Sequence, residues 1–300
     1  TRTDHQDGVV RLTLSRPKKL NALDMDLFRQ LAQAARQLAT EPHVRAVVIH
    51  GEGRAFCAGL DVKAVALTPN ARANMEELLH RPDGALSNLA QDVGYLWRRV
   101  PAPVVAAVHG VCFGGGLQIA LGADMRVCAP DAKLSVMEAK WGIIPDMSAT
   151  VTLPELVPKD VAMELALTGR IFDGAEALKL GLVTRLADDP LAVAVALARN
   201  IAQGSPDASA AAKRLLHATY TEAPDEARNL RLESQLQRHL IGGWNQAACA
   251  ARGVGVPAWL QPRFGGRSAT WSAEADSEAE ASLRVMLDGA YIAEVPDSVK

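Results

Sequence analysis

Cysteine is scarce in this sequence, and its placement excludes one common use. The four cysteines stand at positions 57, 112, 128 and 249 of 300 residues. None belongs to a C-x-x-C pair, and none has a histidine at the spacing of a metal site. We therefore expect no structural zinc or other metal, and a reduced, cytoplasmic setting.

Long apolar runs and strong charge of either sign are also missing. No run approaches the ~20 residues that a membrane span needs, and residues 1–10 lack the apolar segment of a secretion signal. The formal net charge is -2, so no basic field favours nucleic acid or an acidic membrane. The cluster of Lys213, Arg214 and His217 is too small to support RNA binding. We expect neither a nucleic-acid nor a membrane partner.

The usual phosphate-binding glycine motifs are absent, although glycine is concentrated in one stretch. Neither G-x-x-x-x-G-K-[ST] nor G-x-G-x-x-G occurs. Instead, Pro101 to Asp146 reads as an apolar strand, a glycine triplet at 114–116, a helix rich in alanine and leucine, and a second short strand. Two carboxylates, Glu138 and Asp146, follow that strand. Bare backbone N–H groups at a helix start, together with two acids, suit an oxyanion and proton transfer.

The chain divides into three parts by composition. Residues 1–190 read as mixed strand and helix, so we expect an α/β core that carries the active site. Residues 191–264 are almost all helix with one apolar face each, which predicts a helical oligomerisation region. Residues 267–300 hold seven acidic and three basic side chains. We expect 265–300 to be an acidic, disordered tail, with docking on another chain as the alternative.

The first elements have clear boundaries. Val9 to Ser15 and Arg45 to His50 read as strands, and the helix between them can be capped by Asp24 or Asn21. Strand, helix and strand at this spacing form a βαβ-type layout.

Four stretches together resemble the crotonase, or enoyl-CoA hydratase/isomerase, superfamily. They are SRPKKLNAL, GEGRAFCAGLDVK, VHGVCFGGGLQIALGADMRV and LALTGRIFDGAEALKLGLVTRL. They match, in order, the family's opening strand-to-helix element, its two oxyanion elements and the helix-turn that follows the active site. The resemblance implies a crotonase-like spiral of ββα units. It also implies C-terminal helices that mediate a homo-oligomer, either a trimer or a hexamer.

The resemblance also implies a substrate, an acyl-CoA thioester whose carbonyl oxygen becomes negative as an enolate forms. By match to the family's loops, the two N–H donors to that oxygen are Leu60 and Gly115. Gly115 suits this role because it lacks a Cβ and is expected at a helix N-terminus, where the dipole favours an anion. One such donor can be worth ~3–4 kcal/mol of transition-state stabilisation. The alternative for the glycine triplet is tight helix-strand packing with no ligand.

The proton-handling residues depart from those of the family's hydratases. Those enzymes use two glutamates, and the corresponding residues here are Gln118 and Glu138. Glutamine cannot exchange a proton at neutral pH, although it can orient a water by hydrogen bonding. Asp146 matches a carboxylate of the family's dienoyl-CoA isomerases, which also carry an aspartate where this chain has Gln118. We therefore expect Glu138 to be the main acid/base and Asp146 the second.

An apolar environment would raise the pKa of both carboxylates, which suits a proton shuttle. The apolar side chains expected around them are Trp141, Ile143, Ile144 and Met147. The alternatives are an exposed Glu138 paired with Lys140 and an Asp146 that serves only the turn after Pro145.

Coenzyme A is expected to enter as part of the substrate, with no separate cofactor. The resemblance implies that backbone groups of the loop from Ala58 to Asp61 hold the adenine and that scattered bases meet the phosphates. The candidate binding residues are Ala58, Gly59, Asp61, Gly114, Lys19 and Lys63. Each of the lysines could equally be an ordinary surface charge.

These residues favour an acyl-CoA enzyme that moves a double bond in an enoyl or dienoyl chain. One alternative is an enoyl-CoA hydratase in which Glu138 acts and Gln118 orients water. Another is a non-catalytic member of the fold that binds coenzyme A or serves as a scaffold. Acyl chain length and pathway are not encoded in any motif that we can identify.

Overall fold

Both strands and helices occur in the first 190 residues, and the described residues that follow form helices and no strand. The computed structural model describes residues 1–4, 7–221, 226–253 and 256–271. The strands are β1 Arg2–Asp4, β2 Val9–Leu14, β3 Ala46–Gly51, β4 Val104–Val108, β5 Val111–Phe113, β6 Met125–Cys128, β7 Lys133–Ser135, β8 Phe172–Asp173 and β9 Arg185–Leu186. The α-helices are α1 Met25–Thr40, α2 Val62–Val65, α3 Ala71–Leu79, α4 Leu89–Tyr95, α5 Gly115–Gly122, α6 Ala149–Leu156, α7 Lys159–Thr168, α8 Gly174–Leu180, α9 Pro190–Ala202, α10 Pro206–Thr221, α11 Glu226–Leu240 and α12 Trp244–Gly253.

The larger sheet contains six strands in the order β1-β2-β3-β4-β6-β9. β1 runs antiparallel to β2, and the other neighbours are parallel. The central strands β3 and β4 are apolar and almost entirely buried, as parallel strands covered on both faces are. Because Val47 pairs with Val104 and His50 with Ala107, both strands end at the same edge of the sheet. The loop after β3, residues 52–61, which we call the first glycine-rich loop, therefore leaves the sheet beside the segment that leads from β4 to the glycine triplet.

A smaller sheet of β5, β7 and β8 lies next to that edge. β5 and β7 are parallel and pair Phe113 with Ser135, and β8 is antiparallel to β7. An isolated bridge between Cys57 and Cys112 joins the loop after β3 to β5. The N–H of Gly114 then donates to the carbonyl of Ser135 over 2.9 Å. These contacts hold the start of α5 against the first glycine-rich loop and the end of β7.

The predicted helix between the first two long strands is α1, and its cap is now clear. The Asp24 carboxylate accepts from the N–H of Leu27 at 2.9 Å, which satisfies one of the free donors of the first turn. Asn21, the other candidate, is fully buried instead. It donates to the carbonyls of Glu52 and Ala55 and so pins the first glycine-rich loop.

The C-terminal helices pack in two places. α9 covers one face of the larger sheet, where the small side chains of Ala194 and Ala198 are buried with Val48 and Val105. α10 and α11 enclose Trp271 in a separate apolar cluster. Among the described residues, no helix is both long and apolar enough to cross a membrane.

The start of the expected tail is part of the folded body. We call residues 265–271 the C-terminal strap. The Arg267 guanidinium is buried and donates to the carbonyls of Ala39, Glu41 and Val44 at the end of α1 and the turn that follows. Trp271 is only 2 % exposed. The prediction of disorder from residue 265 is therefore wrong for the strap, because carbonyls left unpaired around a helix C-terminus accept readily from arginine. The remainder, 272–300, lies outside the described residues.

Candidate active site

The backbone N–H of Leu60 in the first glycine-rich loop is unpaired among the described residues. Leu23 donates to the carbonyl of Gly59 at 2.8 Å, and Asp61 donates back to the carbonyl of Leu23 at 2.9 Å. This parallel bridge uses the groups on either side of Leu60. The N–H of Leu60 consequently faces away from the bridge. Across the part of the chain that the structure describes, it finds no protein acceptor.

The second unpaired N–H belongs to Gly115, the first residue of α5. The first turn of any α-helix leaves its N–H groups without intrahelical acceptors. A Cβ on Gly59 would lie 2.7 Å from the Phe113 oxygen and 3.5 Å from the Gly115 nitrogen. The first glycine-rich loop is therefore in contact with the start of α5. The fold thus places the two predicted oxyanion donors, Leu60 and Gly115, in neighbouring segments.

At each of the three consecutive glycines, a different structural feature disfavours a side chain. Gly114 has φ of +50°, and a Cβ there would lie 3.4 Å from the Oε1 atom of Glu138. A Cβ on Gly115 would meet the Met147 sulfur at 2.6 Å, and one on Gly116 would meet the Cys57 oxygen at 2.3 Å. Tight packing, the alternative considered for the triplet, thus accounts for Gly116 and also applies at Gly115, while Gly114 borders the Glu138 carboxylate.

Glu138 is buried beside Gly114 rather than exposed on the surface. It begins a short 3-10 helix after β7 and is 6 % exposed. Its Oε1 atom accepts from Gln118 Nε2 at 2.6 Å, whereas Oε2 is buried and has no protein partner among the described residues. Burial raises the pKa of Glu138, and the charge of Asp146 adds to this rise, while its own N–H and Gln118 oppose it. The expected alternative, an exposed carboxylate paired with Lys140, does not occur.

Asp146 is linked to Glu138 through Gln118, which donates to Glu138 and accepts from the N–H of Met147, the residue after Asp146. It is half-buried, and burial raises its pKa above the ordinary value. Two acids with raised pKa values at one site can exchange protons near neutral pH more readily than ordinary carboxylates. The predicted pair is connected through Gln118, and its role in proton transfer stays a prediction.

The source of this burial differs from the expectation. Trp141, Ile143 and Ile144 are 62, 53 and 74 % exposed and do not enclose the carboxylates. Of the four apolar residues predicted around the pair, Met147 is the one that is buried. The prediction failed because these residues belong to a 3-10 helix and a loop, in which apolar side chains need not point inward.

The candidate residues for coenzyme A differ in exposure. Lys19 and Lys63 are exposed, Ala58 is half-buried and Gly59 is buried. The Asp61 carboxylate, in contrast, is already engaged. It caps α2 through the N–H of Ala64 and pairs with Arg16 at 3.1 Å, so its side chain holds the loop rather than facing a ligand.

Sequence reasoning missed three contributors to this site. Arg16 binds Asp61, Asp24 and the carbonyl of Ala22, and so ties the first loop to the start of α1. The N–H groups of Met147 and Ala149 both donate to Gln118, at 2.8 and 3.1 Å. No local signal marks the contact of Arg16 with Asp61 or those of Gln118 with Met147 and Ala149, because each joins segments that are far apart in sequence.

The neighbouring cysteines are inert. Cys57 and Cys112 are fully buried, and burial raises the pKa of the Cys57 thiol to about 12. A thiol of that kind is not a nucleophile at neutral pH. In the described part of the chain, no group of three or more His, Cys, Asp or Glu side chains could hold a metal ion.

The architecture is that of the crotonase-fold enzymes. It matches the crystal structure of an enoyl-CoA hydratase from Bacillus anthracis with a TM-score of 0.76 and 26% identity, over 89% of this chain and 99% of that one. The α/β core with its C-terminal helical region is thus confirmed. Together with the paired backbone donors and the buried acid, it defines the class of protein.

Sequence comparison identifies the family. The family model described as enoyl-CoA hydratase/isomerase matches residues 4–247, and the chain belongs to that family. It is 34% identical to a peroxisomal Delta(3,5)-Delta(2,4)-dienoyl-CoA isomerase from Arabidopsis thaliana over 62% of this chain and 67% of that protein. It is 33% identical to a carnitinyl-CoA dehydratase from Citrobacter koseri over 77% of this chain and 85% of that protein. The prediction of an enzyme of this family is confirmed.

Proposed function

We propose that this protein isomerises a carbon–carbon double bond in an enoyl- or dienoyl-CoA. The thioester oxygen would accept hydrogen bonds from the free N–H groups of Leu60 and Gly115, which stabilise the enolate form. Coenzyme A enters as part of the substrate, and no other cofactor takes part. The loop at Ala58 and Gly59, with Lys19 and Lys63 beside it, would bind the coenzyme.

The proton moves without net gain or loss. Glu138 removes a proton from C2 of a 3-enoyl or 3,5-dienoyl thioester, and the electron pair of that C–H bond delocalises onto the thioester oxygen. The electrons then return along the chain, and a proton is added at C4 or C6. Glu138 can return the proton to C4. Asp146 would supply one farther along a conjugated chain.

One observation carries this proposal. The amide of Gln118 stands where a hydratase would have its second carboxylate, and it donates to Glu138 and accepts from the N–H groups of Met147 and Ala149. It can neither give nor take a proton, so the remaining pair of acids is Glu138 and Asp146. Both have raised pKa values, and Glu138 lies against Gly114, the residue before the free N–H of Gly115. The 34% identity to a protein named dienoyl-CoA isomerase supports the same assignment.

Hydration is the second candidate. The free Oε2 atom of Glu138 is buried and could bind the attacking water. The likeness to proteins named hydratase and dehydratase favours it. Losing one of two general acid/base groups typically lowers the rate by ~10²–10⁴, so we expect hydration to be slow if it occurs.

A spectroscopic and mass assay separates these functions. The protein is incubated with 2-enoyl-, 3-enoyl- and 3,5-dienoyl-CoA. Isomerisation changes the ultraviolet spectrum at constant mass, whereas addition of water raises the mass by that of one water molecule. Turnover of the 3-enoyl or 3,5-dienoyl substrate, lowered ~10²–10⁴-fold by Glu138→Gln, is the expected result. Failure to turn over any thioester would leave only a binding or scaffold function.

A further inference from the structure

Gln118 has a single possible orientation in the fold. It is buried on α5, and its Oε1 atom accepts from the N–H groups of Met147 at 2.8 Å and Ala149 at 3.1 Å. Because both of these partners are donors, the oxygen must face them. The NH₂ group therefore faces Glu138 and donates to Oε1 at 2.6 Å. Exchanging the oxygen and nitrogen would place donor against donor in two contacts.

This contact makes the two oxygens of Glu138 unequal. Oε1 holds the hydrogen bond from Gln118 and lies against Gly114. Oε2 is buried with no protein partner in the described part of the chain. An oxygen with unoccupied lone pairs in a closed pocket is the better proton acceptor. The geometry therefore distinguishes an anchored oxygen from a reactive one.

The same amide holds the loop that carries Asp146. Ser148 has φ of +81°, a left-handed conformation that is unfavourable for a residue with a side chain. The N–H groups on both sides of it converge on the Gln118 oxygen, which stabilises this turn. Across the loop, a Cβ on Gly94 would lie 2.4 Å from the Met147 oxygen, so the turn has little room to move.

We propose that Gln118 is a positioning residue for both acids, holding Glu138 with Oε2 free for proton transfer and fixing the turn that carries Asp146. This inference rests on the proposed acid/base function of that pair. A neutral amide is required because it accepts from two N–H groups and donates to a carboxylate at once. An ionised glutamate could do the first and not the second.

Two substitutions separate these two contacts. Gln118→Glu has almost the same shape and keeps an oxygen for Met147 and Ala149, but it places a second carboxylate against Glu138. Gln118→Met removes both contacts. Gln91→Glu is the matched control, because Gln91 also uses its Oε1 atom to accept a backbone N–H, that of Asn88, and lies outside the site.

The pH dependence of kcat/KM for isomerisation is the decisive measurement. For Gln118→Glu we expect the acid limb to move to higher pH by about one unit or more, since a like charge disfavours ionisation of Glu138. We also expect kcat to fall on the order of 10–100-fold with little change in Tm. Gln118→Met should lower both kcat and Tm, and Gln91→Glu should change neither. A Gln118→Glu enzyme with the original profile and rate would show that Gln118 only holds the loop.

A substrate-free measurement distinguishes this inference from the proposed function. The titration of Glu138 can be followed by 13C NMR of protein labelled at the glutamate carboxyls, with Glu138→Gln identifying the signal. We expect Gln118→Glu to move that titration to higher pH even if no enoyl-CoA is turned over. An unmoved titration would overturn the inference whatever the activity of the enzyme.

Discussion

At the scale of single residues, the fold disfavours the ionised form of Glu138. The pocket buries its carboxylate, and one of the two oxygens has no protein donor in the described chain. Burial disfavours the charged form, which is why the pKa of Glu138 is raised. Residues adapted to catalysis commonly reduce stability in this way.

This has a direct consequence for stability. Because the pKa of Glu138 is higher in the folded than in the unfolded protein, the folded state binds the proton more tightly. The free energy of unfolding therefore falls as pH rises from below the ordinary value of 4.5 through the raised pKa. We expect Glu138→Gln to be more stable than the parent at pH 7.5, by on the order of 1 kcal/mol, with the difference vanishing near pH 4.

Urea denaturation at the two pH values measures this difference. Glu77→Gln is a suitable control, because hydrogen bonds from Arg29 lower the pKa of Glu77, so its removal should not stabilise the protein at pH 7.5. If Glu138→Gln is equally destabilising at both pH values, Glu138 is not a strained acid and its pocket serves packing alone.

At the scale of elements, α10 is attached to the core by a buried cluster of charge. Lys213 lies on α10, pairs with Asp124 at 2.7 Å and also donates to the carbonyls of Trp97 and Ala102. His217, one turn further, reaches the same carboxylate at 2.9 Å. Burial alone would raise the pKa of Asp124, but Lys213 and His217 hold it below the ordinary value.

Removing Lys213 from its buried ion pair with Asp124 should lower the free energy of unfolding far more than removing one partner of a surface ion pair. Lys213→Met leaves a buried carboxylate with one fewer cation, so we expect the free energy of unfolding to fall by about 3–5 kcal/mol. The control is Glu164→Gln, which removes an exposed partner of Arg170 and should change stability by less than about 1 kcal/mol. Chemical denaturation of both variants provides the comparison. Similar losses in the two would mean that α10 is held by apolar packing rather than by this cluster.

At the scale of the whole molecule, the C-terminal strap joins parts that are far apart in sequence. Arg267 binds the end of α1, and Trp271 packs with Ala210, Leu232 and Leu236 between α10 and α11. The N–H of Ser268 donates to Asp207 at the start of α10. The strap thereby links α1 to α10 and α11.

Two truncations test the strap. A chain ending at residue 264 should unfold at clearly lower urea concentration, whereas a chain ending at residue 275 should match the parent in stability. Trp271→Ala in the full chain should lower the free energy of unfolding by about 3–5 kcal/mol, which covers the case in which the shorter chain does not fold. An unaffected Trp271→Ala variant would show that the strap is a passive extension of the chain.

The exposed apolar side chains bear on assembly. Met163 and Leu167 are 49 and 71 % exposed and line a groove of about 530 Å³ between α6 and α7. Large exposed apolar surfaces commonly mark interaction sites. We propose a homo-oligomer, a trimer or a hexamer, for which sedimentation equilibrium should give three or six times 31.9 kDa. A monomer at micromolar concentration would contradict this.

The sequence alone determined the α/β core, the family, and the residues that depart from its hydratases. The core follows from local patterns such as apolar strands and glycines at a helix start, whereas the family and the departure at Gln118 follow from the resemblance of four stretches to the crotonase superfamily. Only the tertiary structure decided what Gln118 binds, which oxygen of Glu138 is free, and that the chain around Arg267 is folded. The physical reason is that these depend on contacts between distant segments. A hydrogen bond has direction, and its partner across the fold leaves no mark in local sequence.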